Sequence, residues 1–376
     1  MPLALARVAD RVARACRLRA TAEIDAGTVA ERRADRRARK AERHAVKERV
    51  AAARRASETA PARAFEHYLT VRAWARRIAD DDATAELSVT PGEQQFVEAL
   101  RPLWDATPAV IAQLRHFCEP FGGIRPADYE LSSSALGKRL RRDLKRLLMG
   151  EHGQALFVPE SPLLGGFGYK TEGGRYNADT LKFFHVLVAL HDGAVLGGLR
   201  TGGRRLVWEP AGGWGGFAYQ LKTVCPDVTC LLTGLPDAFL ISAVYLQTVW
   251  PNARCRFYDP LRPDDVWKNW EEADFIFAPM AALSDLRPPR LDLAVDILAL
   301  QHMSPERADA HVQWAFDRGC RYFYSLHPGS CSTSARPAAW QIIERLYWLH
   351  PVAPRVEVAK TDVDYSHVVG WRRLRV

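Results

Sequence analysis

A carboxylate directly followed by a glycine-rich turn is the pattern in this chain with the clearest chemical use. The apolar residues 206–208 end at Glu209, and three glycines follow within six positions, namely Gly212, Gly213 and Gly215. Glycine lets the main chain turn sharply after a strand and approach a ligand closely, where a Cβ would collide. A carboxylate at the strand end can then meet a polar or cationic group. The pattern predicts a nucleoside-binding strand, turn and helix, and a tight turn without a ligand is the alternative.

Two histidines lie directly after predicted strands and are candidates for a general base. His302 follows the apolar run 291–300 and precedes a helix start, where Ser304 can cap the helix and Pro305 can occupy its first turn. An imidazole titrates at about pH 6.5, so it can accept a proton at neutral pH. His327, directly after the next predicted strand, is the second candidate. A histidine satisfied structurally at a strand end is the alternative for His302.

Short apolar strands alternate with helical segments through the second half of the chain. A helix is predicted over 238–250. The strands are predicted at 206–209, 227–233, 254–259, 274–277, 291–300 and 321–326. Such alternation indicates right-handed βαβ units and a parallel sheet, with ligands at the carboxyl ends of the strands. The sequence therefore predicts an α/β fold with a Rossmann-like sheet.

The turn and its surroundings resemble a known family. The spacing of Glu209, Ala211, Gly213 and Gly215 is similar to E-x-[GA]-x-G-x-G, the first motif of class I methyltransferases, whose ligand is S-adenosylmethionine. The run from Gly165 to Leu326 further resembles bacterial sugar O-methyltransferases of natural-product and surface-glycan gene clusters. The matching segments are 166–169, 176–183, 208–219, 235–237, 243–246, 301–306 and 370–374. The resemblance implies a class I methyltransferase sheet, S-adenosylmethionine as cofactor, and methyl transfer to a sugar hydroxyl of a glycosylated metabolite or glycan.

The resemblance also implies roles for individual residues. Those expected to bind the cofactor are Glu209, Ala211, Gly212, Gly213, Gly215, Gly234, Leu235, Asp237, Asp259 and Asp296. Those suited to a sugar ring are Tyr169, Tyr176, Asn177 and Asp179, although a capped helix start at Asn177 explains most of them without a ligand. His302 would accept the proton of the hydroxyl, and Asp296 would orient His302 or accept from the cofactor amine. The family usually has glutamate at the position of His302.

Two departures from the family pattern bear on cofactor binding. Pro210 and Ala211 stand where the family has isoleucine and glycine, which removes a backbone donor and adds a methyl group at the point of closest approach. Gly234 stands where the family has the aspartate that holds the adenosyl ribose, and Asp237, one turn later, can take its place. Two other functions stay open. One is a noncatalytic methyltransferase-like protein that binds a glycan or a partner enzyme, and the other is an RNA methyltransferase, whose N-P-P-Y or D-P-P-Y motif the chain lacks.

Charge is concentrated at the N-terminus. Residues 1–60 hold 16 Lys and Arg against 8 Asp and Glu, whereas residues 61–376 hold 36 of each kind. This alanine- and arginine-rich stretch predicts a basic helical arm that is solvated, self-associates or contacts an anionic surface. The predicted organisation is this arm, a helical accessory region over 61–160 and a methyltransferase core over 161–376. Accessory helices are predicted at 65–78, 91–104, 108–117 and 135–148.

Cysteine and hydropathy patterns limit the remaining possibilities. The seven cysteines include no C-x-x-C pair, so neither a disulfide framework nor a zinc site is predicted. Asp264 and Asp265 can be compared with a magnesium-binding carboxylate pair, but they fit a helix start better, and no metal is predicted. The longest apolar stretch, 183–199, contains two histidines and an aspartate, which make it too polar for a membrane span. Arginines throughout residues 1–20 argue against a secretory signal, so we expect a cytoplasmic protein.

Overall fold

The computed structural model describes residues 60–80, 90–131, 134–328, 339–352 and 365–373. The predicted basic arm, apart from Ala60, lies outside these residues. In the ranges that are described, no helix is long and apolar enough to cross a membrane.

The described residues form twelve α-helices, some of which begin at a side-chain cap. They are α1 (Ala60–Ala79), α2 (Pro91–Leu100), α3 (Pro108–Ile111), α4 (Glu119–Gly122), α5 (Ala135–Met149), α6 (Gly153–Leu156), α7 (Ala178–Asp192), α8 (Leu196–Leu199), α9 (Gly216–Val224), α10 (Pro236–Val249), α11 (Pro305–Asp317) and α12 (Ala339–Ile343). The side chains of Asn177 and Ser304 accept hydrogen bonds from the first turns of α7 and α11. The predicted helix starts at these two residues are therefore confirmed.

The strands form a two-stranded hairpin and an eight-stranded sheet within the described part of the chain. They are β1 (Tyr169–Thr171), β2 (Gly174–Tyr176), β3 (Arg205–Glu209), β4 (Val228–Gly234), β5 (Cys255–Phe257), β6 (Phe275–Pro279), β7 (Leu293–Ile297), β8 (Tyr322–Pro328), β9 (Tyr347–Val352) and β10 (Tyr365–Arg372). The order across the large sheet is β5-β6-β4-β3-β7-β8-β10-β9. The first six of these are parallel, and β10 is antiparallel to both of its neighbours.

This sheet confirms the predicted α/β, Rossmann-like fold. From β3 the chain passes to β4 on one side, and it later returns to β7 on the other side. The reversal creates a switch point between β3 and β7, where a crevice forms outside the carboxyl ends of the strands. Glu209 is the last residue of β3 and His302 follows β7, so the fold brings both to this edge.

The central strands are buried on both faces, which explains their continuous apolar sequences. Every residue of β4 and of β6 is buried. Trp208 of β3 packs against Trp314 of α11, with ring centroids 4.7 Å apart. Because successive side chains of a strand point to opposite faces, Glu209 faces the other way, towards α7 and Lys182.

Accessory helices cover the carboxyl edge of the sheet. The indole of Trp74 in α1 packs on Phe239 and Phe257 at 5.1 and 5.0 Å, and its Nε1 donates to the carbonyl oxygen of Tyr258 at 2.7 Å. On the other side of the sheet, Glu93 of α2 forms an ion pair with Arg307 of α11. The accessory region is therefore attached to the core on both sides of the switch point.

Three predicted elements differ from the observed ones. The helix predicted over 91–104 ends at Leu100 and continues as a 3₁₀ turn containing Pro102, which has no N–H to donate. The helix predicted over 108–117 consists of α3 and a separate 3₁₀ turn, Leu114–Phe117. The strand predicted over 291–300 ends at Ile297, because the next residue, Leu298, adopts a positive φ of 63°.

Candidate functional site

The glycine-rich turn has the predicted course from a buried strand into a helix. Three residues of the turn have a left-handed backbone, Ala211 with φ 52°, Gly213 with φ 51° and Gly215 with φ 85°. The amide of Gly212 donates to the carbonyl oxygen of Thr233 in β4 at 2.9 Å, which fixes the turn against the neighbouring strand. A Cβ on Gly213 would meet only the Phe121 ring, at 4.0 Å, so this part of the main chain is open to a ligand.

Ala211 carries strain that the glycine of the family pattern would avoid. A left-handed conformation costs an alanine about 1–2 kcal/mol. Glycine avoids this cost, but its more flexible unfolded state offsets part of the gain in stability. We expect Ala211→Gly to raise the free energy of unfolding by about 0.5–1 kcal/mol, measured by urea denaturation. The matched control is Ala310→Gly on the exposed face of α11, which should lower stability by about 1 kcal/mol. A loss of stability in Ala211→Gly would contradict the strain.

Glu209 is a buried carboxyl group with an unused oxygen. It is 7% exposed, and its Oε2 has no hydrogen-bond partner in the described structure. Burial raises the pKa of Glu209 to about 8, against which the charge of Lys182 acts only weakly. An unpaired buried carboxyl group destabilises a fold, so its presence at the switch point favours a ligand that donates to it.

A buried polar cluster supports the turn from beneath. Asp179 accepts from Lys182 Nζ and from Trp214 Nε1, both at 2.9 Å. Arg115 stacks on the Trp214 ring at 3.5 Å and donates through Nε to Glu160 Oε1 at 2.7 Å. Burial alone would raise the pKa of Asp179, but the positive charges of Lys182 and Arg115 outweigh it and hold that pKa below its ordinary value. Asp179 is therefore an ionised anchor for the turn.

The other residues predicted to bind a sugar have polar groups engaged within the protein. Asn177 is fully buried, caps α7 and donates to Glu160 Oε2 at 3.0 Å. Tyr169 donates its hydroxyl to the carbonyl oxygen of Asp128 at 3.1 Å. Tyr176 is buried and pairs with Tyr169 across the hairpin. The structure therefore brings Asp179 to the turn, whereas a role of the other three in acceptor binding stays a prediction.

The end of β4 offers a weaker cofactor contact than the family pattern. Gly234 does not have a positive φ, and a Cβ there would meet only ordinary contacts at 3.6 Å or more. Leu235 precedes α10 as its N-cap residue without a side-chain bond. Asp237 lies in the first turn of α10, where burial raises its pKa and its Oδ1 accepts from Trp104 Nε1 at 2.6 Å. A carboxylate is present near the predicted ribose position, but it already has an indole donor.

Asp259 is not brought to the turn. It follows β5, which is the outermost strand, and β6 and β4 separate β5 from β3. Its carboxylate pairs with Arg262 at 3.0 Å and accepts from the amide of Leu261. The strand order therefore does not support its predicted place in the cofactor site.

Asp296 fixes the turn that carries His302. Its carboxylate is buried and accepts from the amides of Ala299 and Leu300 at 2.8 and 3.0 Å, and from Ser325 Oγ at 2.7 Å. Burial raises the pKa of Asp296 to about 6, although these hydrogen bonds oppose the rise. Its contact with His302 is therefore made through the main chain of the turn.

The two candidate bases differ in exposure. His302 is exposed, and its ring nitrogen lies 3.1 Å from Gln301 Nε2. Desolvation lowers the pKa of His302, and the negative charge of Glu93 partly opposes this. His327 is buried, with Nδ1 3.4 Å from Ser325 Oγ, and desolvation lowers its pKa to about 4. Both imidazoles are therefore neutral at physiological pH, and His302 is the one that a substrate can reach.

The aspartates compared with a magnesium site have a structural use. Asp264 and Asp265 lie in a 3₁₀ turn, and Asp265 pairs with Lys268 at 2.6 Å. No group of three or more metal-ligating side chains occurs in the described segments.

An open groove of about 500 Å³ lies among the accessory helices. Its lining includes Gln95, Phe96, His116, Phe117, Glu119 and Pro120, from α2, the 3₁₀ turn at 114–117 and α4. The Phe96 ring contacts the Phe121 ring at 4.8 Å, and Phe121 in turn faces Gly213. Phe121 therefore connects the groove with the main chain that would hold a cofactor.

Sequence reasoning assigned no role to Arg115, Glu160 or Lys182. Each belongs to a segment that reads as an ordinary helix or loop, and a charged side chain in such a segment is usually exposed. Their burial results from contacts between the accessory region and the core, for which the sequence carries no local signal.

Comparison with known proteins finds distant structural likeness only. No protein-family model and no curated protein matches the chain. The crystal structure of WbdD is similar with a TM-score of 0.38 and 10% identity over 53% of this chain and 42% of that chain. The N-methyltransferase NodS from Bradyrhizobium japonicum WM9, solved with S-adenosyl-L-homocysteine, is similar with a TM-score of 0.35 and 11% identity over 63% of this chain and 100% of that chain. Magnesium protoporphyrin IX methyltransferase from Synechocystis PCC 6803, solved with bound SAM, is similar with a TM-score of 0.33 and 15% identity over 53% of this chain and 86% of that chain.

These values limit what the likeness means. The chain spans less than half of WbdD, and all three TM-scores lie below 0.5. The likeness therefore assigns neither a cofactor nor a substrate to this chain.

Proposed function

We propose that this protein is an S-adenosylmethionine-dependent O-methyltransferase whose acceptor is a sugar hydroxyl of a glycosylated metabolite or glycan. The observation that carries the proposal is Glu209, a buried carboxyl group whose Oε2 has no donor, at the switch point of the parallel sheet. The left-handed Gly213 that follows it leaves the main chain open to a ligand. The sugar acceptor comes from the sequence resemblance.

The residues at the turn fit S-adenosylmethionine in part. Glu209 would accept from a cationic or polar group of the cofactor, and the main chain around Gly213 would lie against it. Asp237 would reach the ribose with the carboxylate that Trp104 also contacts. When bound, the cofactor supplies an electrophilic methyl group on a sulfonium. Gly234 provides no carboxylate, so we expect weaker binding than the family pattern would give.

The remaining steps belong to side chains of this protein. In the groove, the Phe96 and Phe117 rings would contact the apolar face of a sugar, and Gln95 and His116 would accept or donate hydrogen bonds to its hydroxyls. His302 is exposed and neutral at physiological pH, so it would take the proton of the attacking hydroxyl. Asp296 would hold the His302 turn in place.

Calorimetric titration with S-adenosylmethionine at pH 7 tests the proposal. Because the pKa of Glu209 is raised to about 8, its carboxyl group is mostly protonated before binding. A cationic partner would lower that pKa, so binding should release up to about one proton, seen as different heats in phosphate and Tris buffers. NAD is the control and should not bind, because the carboxylate precedes the glycines here. No binding of S-adenosylmethionine at about 1 mM would contradict the proposal.

A noncatalytic methyltransferase-like protein is the second candidate. The contact between Trp104 and Asp237, together with Gly234 at the end of β4, favours it, because both reduce what the site offers to a ribose. The same titration separates the two candidates, since a noncatalytic protein with a degraded site would keep its fold without binding the cofactor.

A further inference from the structure

The geometry points to Arg115 as a positioning residue: its guanidinium, supplied by the accessory region, holds the glycine turn of the cofactor site in its binding conformation. The inference rests on the proposed function. Arg115 lies in the 3₁₀ turn Leu114–Phe117 and does not belong to any element of the sheet. It acts through the two groups that it contacts, Trp214 and Asp179.

The carboxylate of Glu160 fixes the orientation of the Arg115 guanidinium. Arg115 is 1% exposed, and its Nε and Nη2 donate to the two carboxylate oxygens of Glu160 at 2.7 and 3.4 Å. Asn177 and Thr180 donate to the same carboxylate at 3.0 and 3.3 Å. A planar guanidinium held by two bonds has one orientation, which a lysine ammonium at this position would lack.

The first contact passes through Trp214. The guanidinium lies 3.5 Å from the centroid of the indole ring, and the indole Nε1 donates to Asp179 at 2.9 Å. Trp214 stands between Gly213 and Gly215, the two left-handed glycines of the turn. Because the indole is fixed on its face by Arg115 and at its edge by Asp179, the glycines on either side of it are fixed as well, including Gly213, which is open to a ligand.

The second contact passes through Asp179 to Glu209. Nη2 of Arg115 lies 3.8 Å from Asp179 Oδ2, and its charge helps to keep Asp179 ionised. The ionised carboxylate holds Lys182 Nζ at 2.9 Å, and the charge of Lys182 acts on Glu209. Arg115 therefore supports the turn, and it acts on the buried carboxyl group only indirectly, through Asp179 and Lys182.

A purely structural ion pair is the alternative, and the chain offers a matched control for it. Lys222 in α9 is also buried and charged, pairs with Asp274, and donates to the carbonyl oxygens of Pro226 and Val228 at 2.7 and 2.8 Å. It lies near the end of the helix that begins at the glycine turn, away from the ligand side. Loss of Lys222 should lower stability without changing the turn.

The experiment compares Arg115→Lys, Glu160→Gln and Lys222→Met with the wild type. The affinity for S-adenosylhomocysteine is measured by calorimetry, and amide hydrogen exchange is followed by mass spectrometry in a peptide over 210–219 without cofactor. We expect Arg115→Lys to weaken affinity about tenfold and to speed exchange in this peptide by about tenfold or more. Glu160→Gln should change both in the same direction. Lys222→Met should change neither, although its unfolding midpoint falls.

Unchanged exchange and affinity in folded Arg115→Lys and Glu160→Gln would overturn the inference, as would an equal change in Lys222→Met. A wild type that binds no S-adenosylhomocysteine would contradict the proposed function alone, since hydrogen exchange still reports on the turn. If Arg115→Lys does not fold, Glu160→Gln decides the outcome. Glutamine keeps the size of the side chain and leaves Arg115 in place, but it removes the charged carboxylate that orients Arg115.

Discussion

Replacing His302 by alanine is expected to lower the rate of methyl transfer by about two to four orders of magnitude while changing the affinity for S-adenosylmethionine by less than about twofold. A general base acts on the acceptor proton in the transition state and contributes little to binding of the methyl donor. His302 fits this role because it is exposed beside β7, next to the strand that ends at Glu209. Initial rates of methyl transfer and calorimetric titration of the same preparation measure the two effects separately.

The pH dependence gives a second measure of the same role. The base must be unprotonated, so the rate falls as pH drops through the pKa of His302. Desolvation lowers this pKa from the ordinary value of 6.5, and Glu93 opposes the shift. The acid limb of kcat/KM should therefore lie below pH 6.5. His302→Glu is the matched control, because a carboxylate is the usual group at this position of the family pattern, and it should keep partial activity with a limb shifted further towards acid.

Full activity in His302→Ala would contradict this mechanism. His327→Gln then becomes informative, because His327 also lies at this edge of the sheet and its pKa is lowered to about 4. A large loss of activity in His327→Gln alone would assign the base to His327. Full activity in both variants would mean that the substrate or water, and neither histidine, accepts the proton.

Replacing Glu209 by glutamine is expected to weaken binding of S-adenosylmethionine about tenfold or more, equivalent to about 1.4 kcal/mol. The substitution keeps the size of the side chain but removes the negative charge that would form when a cationic group of the cofactor arrives. Calorimetric titration measures the change in affinity. The matched control is Asp259→Asn, which should leave affinity unchanged because β6 and β4 separate β5 from the turn.

Glu209→Gln should stabilise the folded protein in the absence of the cofactor. In the folded wild type the pKa of Glu209 is raised from 4.5 to about 8, so the carboxyl group stays protonated where the unfolded chain is ionised. The contribution of Glu209 to the free energy of unfolding should therefore fall as pH rises from 4.5 to about 8. Glu209→Gln lacks this dependence and should be more stable than the wild type at pH 8. Urea denaturation at pH 5 and pH 8 measures the slope, and equal slopes with equal cofactor affinity would remove Glu209 from the site.

The local elements of the site could be predicted because their signals lie within a few residues of one another. An apolar run, a carboxylate and closely spaced glycines are sufficient to predict β3, the turn and α9, since glycine alone adopts the left-handed backbone without cost. Ser304 and Pro305 likewise mark the start of α11, because a side-chain cap and a residue without an amide donor suit a first helical turn. These features placed Glu209 correctly at the end of β3, whereas His302 lies in a 3₁₀ turn that follows β7.

Strand order and the pairing of polar groups could not be predicted in the same way. Asp259 follows a strand of the right kind, but its distance from the turn depends on β6 lying between β5 and β4. The hydrogen bond between Trp104 and Asp237 joins residues 133 positions apart, so no local sequence pattern predicts it. Strands β9 and β10 were not predicted either, because their stability comes from pairing with each other and with β8.

The sequence by itself thus determined a parallel α/β sheet, a glycine turn preceded by a carboxylate, and two histidines near the carboxyl ends of the strands. The tertiary structure alone decided which of these groups are buried and which partners they have. Arg115 illustrates the difference, because its segment reads as an ordinary helix, yet it lies beneath Trp214 with its guanidinium bonded to Glu160. Backbone conformation follows from short-range sterics, whereas the burial of a charge depends on whether distant segments supply enough opposite charge and hydrogen bonds to offset its desolvation.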